Sequence, residues 1–138
     1  ELSYALLYRT GKHKIIFAGD TEESAWDEIL KSHKDDVSDV DLLIAPHHGR
    51  KSGDNDNYLD VLKPKLTLFG NADSKYLDYS FWNNRSLLHI TNNQAGNIVI
   101  DISNGNMDVY CSNEKFAKAD NADAFYNSDF DAYFLRRI

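Results

Sequence analysis

Two short apolar runs, each ending in polar residues beside a glycine, limit what this chain can fold into. The first is Ile15-Ile16-Phe17-Ala18 followed by Gly19-Asp20; the second is Leu42-Leu43-Ile44-Ala45-Pro46 followed by His47-His48-Gly49. Both read as buried strands, and open α/β sheets carry their chemistry at the carboxyl ends of strands. A carboxylate and imidazoles delivered there suit a divalent ion such as zinc. Either run alone reads as readily as a strand leading to a helix N-cap, or as a turn before glycine. Their combination points to a site.

A length of 138 residues is one domain's worth, and 42% hydrophobic with 12% aromatic residues marks a globular chain. No apolar run approaches the roughly 20 residues of a membrane span, so no membrane segment is expected. Lysine and arginine number 15 against 22 acidic residues, a formal charge of -7. That balance argues against a broad nucleic-acid surface, although a metal site could still hold one phosphate. The lone Cys111 excludes an internal disulfide and, within an apparent strand, reads as structural. The chain starts at Glu1 without an initiator methionine and enters a strand at once, which reads either as a trimmed N-terminus or as one part of something longer. The sequence fixes no compartment; the cytoplasm is the default expectation.

Residues 3–8 and 14–18 form an expected hairpin around Gly11-Lys12. A helix is expected over 21–33, with Thr21 as cap, Glu22 and Glu23 at its positive end, and Ala25, Trp26, Ile29 and Leu30 as its apolar stripe. A strand over 40–45 follows, then a polar loop over 50–57, a short helix ending before Pro64 and a strand over 66–69. A helix from about 77 to 84 precedes three strands over 87–91, 97–102 and 107–111. This order is α/β material with mixed strand directions. Residues 1–112 are expected to form one domain portion, and residues 113–138 an aromatic-rich tail. In that tail Tyr126, Phe130, Tyr133 and Phe134 fit one face of an amphipathic helix, packed on its own domain or offered to a partner.

Asp20, after Gly19, is placed to bridge two cations, since a carboxylate has two oxygens and a full negative charge. If strand geometry persists, His47 and His48 point to opposite sides, so one can ligate while the other meets substrate. His89, in an apolar strand, reads as structural; His13 and His33 read as exposed.

Residues 16–20 with the helix that follows, then Leu43-Ile44-Ala45-Pro46-His47-His48-Gly49, resemble the C-terminal half of a metallo-β-lactamase-fold hydrolase. The nearest branch is that of bacterial DNA-uptake competence proteins and choline-binding phosphodiesterases. The likeness continues through Leu62-Lys63-Pro64-Lys65, Ile90-Thr91-Asn92-Asn93 and residues 96–101, covering about residues 2–103. It implies half of an αββα sandwich, a mixed sheet with flanking helices. It also implies that Asp20 bridges two metal ions, zinc by expectation and manganese or iron by ligand type. His47 is the favoured ligand, and His48 is the alternative ligand or the histidine near substrate. The implied reaction is hydrolysis of a phosphodiester, small or nucleotide-like, by a metal-bound hydroxide.

The family's main motif, His-x-His-x-Asp-His, is absent, and His13, His33 and His89 do not rebuild it. Asp20 and one histidine are too few ligands for tight zinc binding, so the chain is expected to need a missing N-terminal half for activity. After His-His-Gly, relatives often carry serine; here Arg50-Lys51-Ser52 stands instead. Arg50 and Lys51 read as phosphate contacts or as solvated loop charges. Asn71, Lys75 and Tyr76 are further substrate-contact candidates by their place in the resemblance. The rival reading is a binding or scaffolding module that keeps the fold around an incomplete metal site.

Overall fold

The computed structural model describes residues 3–138. It is an α/β structure with a mixed sheet and flanking helices, and it divides into two compact units after His89. In the first unit, β1 (Leu6–Thr10) and β2 (His13–Phe17) form the expected antiparallel hairpin, turning at Gly11 with φ +55°. Helix α1 (Glu23–Val37) returns the chain to β3 (Leu42–Ile44), and α2 (Tyr58–Leu62) returns it to β4 (Leu66–Phe69). Each helical crossover makes the next strand parallel to the last, with Ile16 opposite Leu43 and Leu43 opposite Thr67. Helix α3 (Ser80–Asn83) precedes β5 (His89–Thr91), which completes a five-stranded sheet in the order β1-β2-β3-β4-β5.

Apolar residues of β2, β3 and β4 meet Trp26 and Val37 of α1 and Leu59 and Leu62 of α2 in one core. Trp26 stacks on Tyr58 with ring centroids 4.4 Å apart, and Phe69 meets Trp82 edge-on at 4.7 Å. Such contacts contribute about 0.5–1.5 kcal/mol beyond area burial. Thr21 does not cap α1. Its hydroxyl bonds Ala18 O instead, and Glu22 holds the cap position in extended backbone. The α1 helix also runs on past 33, with non-helical backbone at His33.

The second unit begins at Ile90, within β5, and continues into α4 (Asn92–Ala95), capped by the Thr91 hydroxyl accepting from Gln94 N at 3.2 Å. Strands β6 (Ile98–Asp101) and β7 (Asp108–Cys111) lead to α5 (Glu114–Asp120), capped by Asn113. Strands β8 (Tyr126–Asn127) and β9 (Ala132–Arg137) complete an antiparallel sheet in the order β6-β7-β9-β8.

Here the helix expected across 126–134 is replaced by a hairpin. Tyr126, Phe130, Tyr133 and Phe134 do recur at helical spacing, but Asn127-Ser128-Asp129 interrupts them with turn formers, and the aromatics are strand formers. They pair across strands, Tyr126 on Tyr133 at 5.3 Å and Phe125 on Phe134 at 5.1 Å. The division after His89 likewise replaces the expected boundary at 112, because β6 and β7 pair with β9 of the tail. Cys111 is buried in β7, and burial raises its thiol pKa, consistent with a structural role. No described helix is long and apolar enough to cross a membrane.

Candidate functional site at the ends of β2 and β3

Beyond β2 the chain turns sharply at Gly19, φ +56°, where a side chain would crowd Ser3 Oγ at 3.0 Å and the Tyr4 carbonyl at 3.2 Å. The Ser3 hydroxyl accepts from Asp20 N–H at 2.9 Å. The Asp20 carboxylate is left 64% exposed. Beyond β3 the backbone enters left-handed conformation at His47 (φ +52°), His48 (φ +59°) and Gly49 (φ +87°) in succession. Non-glycine residues held there cost on the order of 1–3 kcal/mol each, and such strain clusters at functional sites.

Packing holds the turn. Gly49 is tight against the Phe69 ring, which a β-carbon would meet at 2.6 Å. His47 N–H donates to Gly19 O at 2.9 Å, tying the two strand ends directly together. His47 Nδ1 then lies 3.7 Å from Asp20 Oδ1, and its Nε2 lies 3.8 Å from Asp54 Oδ2. The His48 ring is turned instead against Gly70 at the end of β4. Strand geometry stops at Ile44, so it is the left-handed turn that separates the two imidazoles.

Asp54 lies in the polar loop over 50–57, where no periodicity marks it. Tertiary contacts fold that loop back: Asn55 bonds Glu23 of α1, and Arg85 grips Asp56 while pairing with Asp60 at 2.7 Å. No local sequence signal marks this return.

Residues 49–51 are zipped to 76–78. Arg50 and Leu77 form an isolated antiparallel bridge, Lys51 N–H donates to Tyr76 O at 3.1 Å, and Asp78 N–H donates to Gly49 O at 3.1 Å. Two open clefts result. One, of about 450 Å³, holds Asp20, His47, His48 and Asp54; the other, of about 350 Å³, holds Lys75, Tyr76 and Asp78. Arg50 and Lys51 line both. Lys75 Nζ stands 4.8 Å over the Tyr76 ring, and the Arg50 guanidinium 6.0 Å over it. The hydroxyl and N–H of Ser80 hold the Asp78 carboxyl below its usual pKa. Asn71 is exposed beyond β4 and lines neither cleft.

The other histidines divide. His89 stacks on Phe69 at 5.3 Å and Tyr79 at 4.8 Å, in keeping with a structural role, and His33 is exposed. His13 is not exposed as expected. It is 5% accessible, because the β hairpin sets it opposite Thr10 with Nδ1 3.7 Å from Asp41.

Among the described residues no group of three His, Cys, Asp or Glu side chains could hold a metal ion. Asp20 and His47 are a donor pair; a third and fourth ligand would have to come from elsewhere. Compared with known proteins, the chain matches no family model, no curated protein and no solved structure.

Proposed function

We propose that this chain supplies the carboxylate–imidazole half of a metal-dependent hydrolase site, within a metallo-β-lactamase-type αββα sandwich completed by an N-terminal half. The observation that carries the reading is the meeting of Asp20 and His47. They come from different strand ends, stand 3.7 Å apart, and are held by the bond from His47 N–H to Gly19 O. Two donors on one tetrahedral ion with bonds of about 2.0–2.1 Å lie roughly 3.4 Å apart, so the pair fits as part of a ligand set. A zinc-class ion bound there supplies a hydroxide nucleophile at neutral pH and neutralises charge on a phosphoryl oxygen.

The chain's own residues would bind and orient the substrate. Arg50 and Lys51, between the two clefts, match a phosphodiester anion in charge, and the Arg50 fork matches phosphate geometry. Lys75 adds charge from the second cleft, whose Tyr76 offers an aromatic face to the group esterified to the phosphate.

The test is Asp20→Ala in the intact protein, with metal content measured beside hydrolysis of bis(p-nitrophenyl) phosphate. Loss of bound metal and a fall in turnover of at least about a hundredfold are expected, with the fold unchanged. Unaltered turnover overturns the catalytic assignment. A binding module would instead show no turnover in either protein and phosphate binding that survives the substitution.

A further inference from the structure

Strand β1 lies at the edge of its five-stranded sheet, and β2 decides what that edge presents. Asp41 N–H donates to Lys14 O at 3.0 Å and Ala18 N–H to Ile44 O at 3.3 Å. Alternate residues of β2 therefore turn their backbone groups to β3, and those between them, Ile15 and Phe17, face Tyr8 and Leu6 of β1. The backbone of Leu7 and Arg9 is left pointing away from the sheet. Among the described residues no backbone group bonds it. Native edge strands are blunted by lysine, proline or a bulge. Leu6-Leu7-Tyr8-Arg9-Thr10 has none of these, and Arg9 is drawn onto Asp36 of α1 at 2.8 Å.

Both faces beside this edge are apolar. On one, Leu6 (59% exposed), Tyr8 (49%) and Phe17 (44%) stand in the open. On the other, a cavity of about 190 Å³ opens between β1 and α1, lined by Ala5, Leu7, Trp26, Ile29 and Val37 among others. Ala5 and Ile29 also line the cleft that follows it, together with Glu28. The Glu28 carboxylate accepts from the Ser32 hydroxyl at 2.8 Å and has no cationic partner among the described residues.

A strand added at this edge has to satisfy two apolar faces and one carboxylate, and β1 has the residues to do so. Paired antiparallel with its own copy about a two-fold axis at Leu7, it sets Leu7 opposite Leu7, Leu6 opposite Tyr8 and Arg9 opposite Ala5. Leu7 of the second copy then arrives at the mouth of the apolar cavity. Arg9 of the second copy arrives beside Ala5, and so beside Glu28. Only Nη2 of Arg9 is committed to Asp36, which leaves the Nε and Nη1 donors for that carboxylate.

We infer that a second copy of this chain pairs with β1, joining two five-stranded sheets edge to edge in a symmetric dimer held by backbone bonds at Leu7 and by Arg9–Glu28 contacts. The dimer is independent of the hydrolase reading, and its test needs neither metal nor turnover.

Sedimentation velocity on the full chain, over a concentration series, should show a monomer–dimer equilibrium. Amide hydrogen exchange at Leu7 and Arg9 should slow as concentration rises, because the second copy covers those N–H groups. Glu28→Arg, at an exposed helix position, should keep the circular dichroism of the fold. It should raise the dimer dissociation constant by about tenfold or more, since each dimer then holds two like-charge contacts. A chain still monomeric at about 1 mM overturns the inference. So does a dimer in which Leu7 and Arg9 exchange at the monomer's rate, because its interface lies elsewhere. Protection at those two residues that does not vary with concentration assigns the edge to a segment of the same chain and equally overturns it, as does an unchanged dissociation constant in Glu28→Arg.

Discussion

The side chain of His48 packs against Gly70, so closely that a β-carbon at position 70 would stand 2.9 Å from Nδ1. With Gly49, the residue after His48, pressed on Phe69, the residue before Gly70, the left-handed turn after β3 and the end of β4 interlock. Gly49→Ala therefore meets both a forbidden backbone region and the Phe69 ring. It should destabilise the fold by about 2–4 kcal/mol, read as a lowered urea midpoint with unchanged slope. Gly70→Ala need only displace the exposed His48 ring. Its stability cost should be smaller, with the His48 side-chain resonances as the reporter.

The Arg50, Lys51 and Lys75 side chains should bind a phosphate anion by charge. Replacing Arg50 and Lys75 together by alanine should weaken inorganic phosphate binding by about tenfold or more, measured by calorimetry at low salt. Asn71→Ala, outside both clefts, should leave the affinity unaltered. Equal losses in both variants would remove the cleft assignment.

Arg85 links the Asp54-bearing loop to α2 and α3, through Asp56, Asp60 and the Phe81 carbonyl at 3.1 Å. Its pKa is driven up, first by the hydrogen bonds to Asp60 and Asp56. Arg85→Ala should release residues 50–57, seen as faster limited proteolysis there, while β2 to β4 stay protected from hydrogen exchange.

Acid should destabilise the first unit through Asp41. Burial pushes this carboxyl's pKa up, but the Lys65 ammonium at 2.7 Å and the Lys14 N–H at 2.9 Å outweigh it, and the net shift is downward. A carboxyl depressed in the folded state lends stability that is complete above its unfolded pKa of about 3.9 and is lost as pH falls through the folded value. The urea midpoint should therefore drop below about pH 4. Asp41→Asn should cost about 1–3 kcal/mol at pH 7 and flatten that acid limb.

Much of the first unit was legible because its signals are short-range. Apolar runs bounded by Gly11, Gly19 and Pro64 gave β2, β3, β4 and the hairpin, and the Trp26-Ile29-Leu30 stripe gave α1. The tail was misread because spacing alone cannot tell a helix from a hairpin when aromatics meet turn formers. Only pairing of β9 with β7 decides it.

The sequence by itself determined that an aspartate and a histidine pair would stand at the ends of neighbouring strands, since alternation and chain reversal dictate where such residues emerge. The tertiary structure alone decided that His47 rather than His48 faces Asp20, that Asp54 returns to the other side of that ring, and that Arg50 and Lys51 meet Lys75 and Tyr76. Those outcomes depend on a strained turn held by Phe69 and Gly70, and on ion pairs between residues some thirty positions apart, such as Arg85 and Asp56 (29 apart). No local propensity encodes energies of that kind.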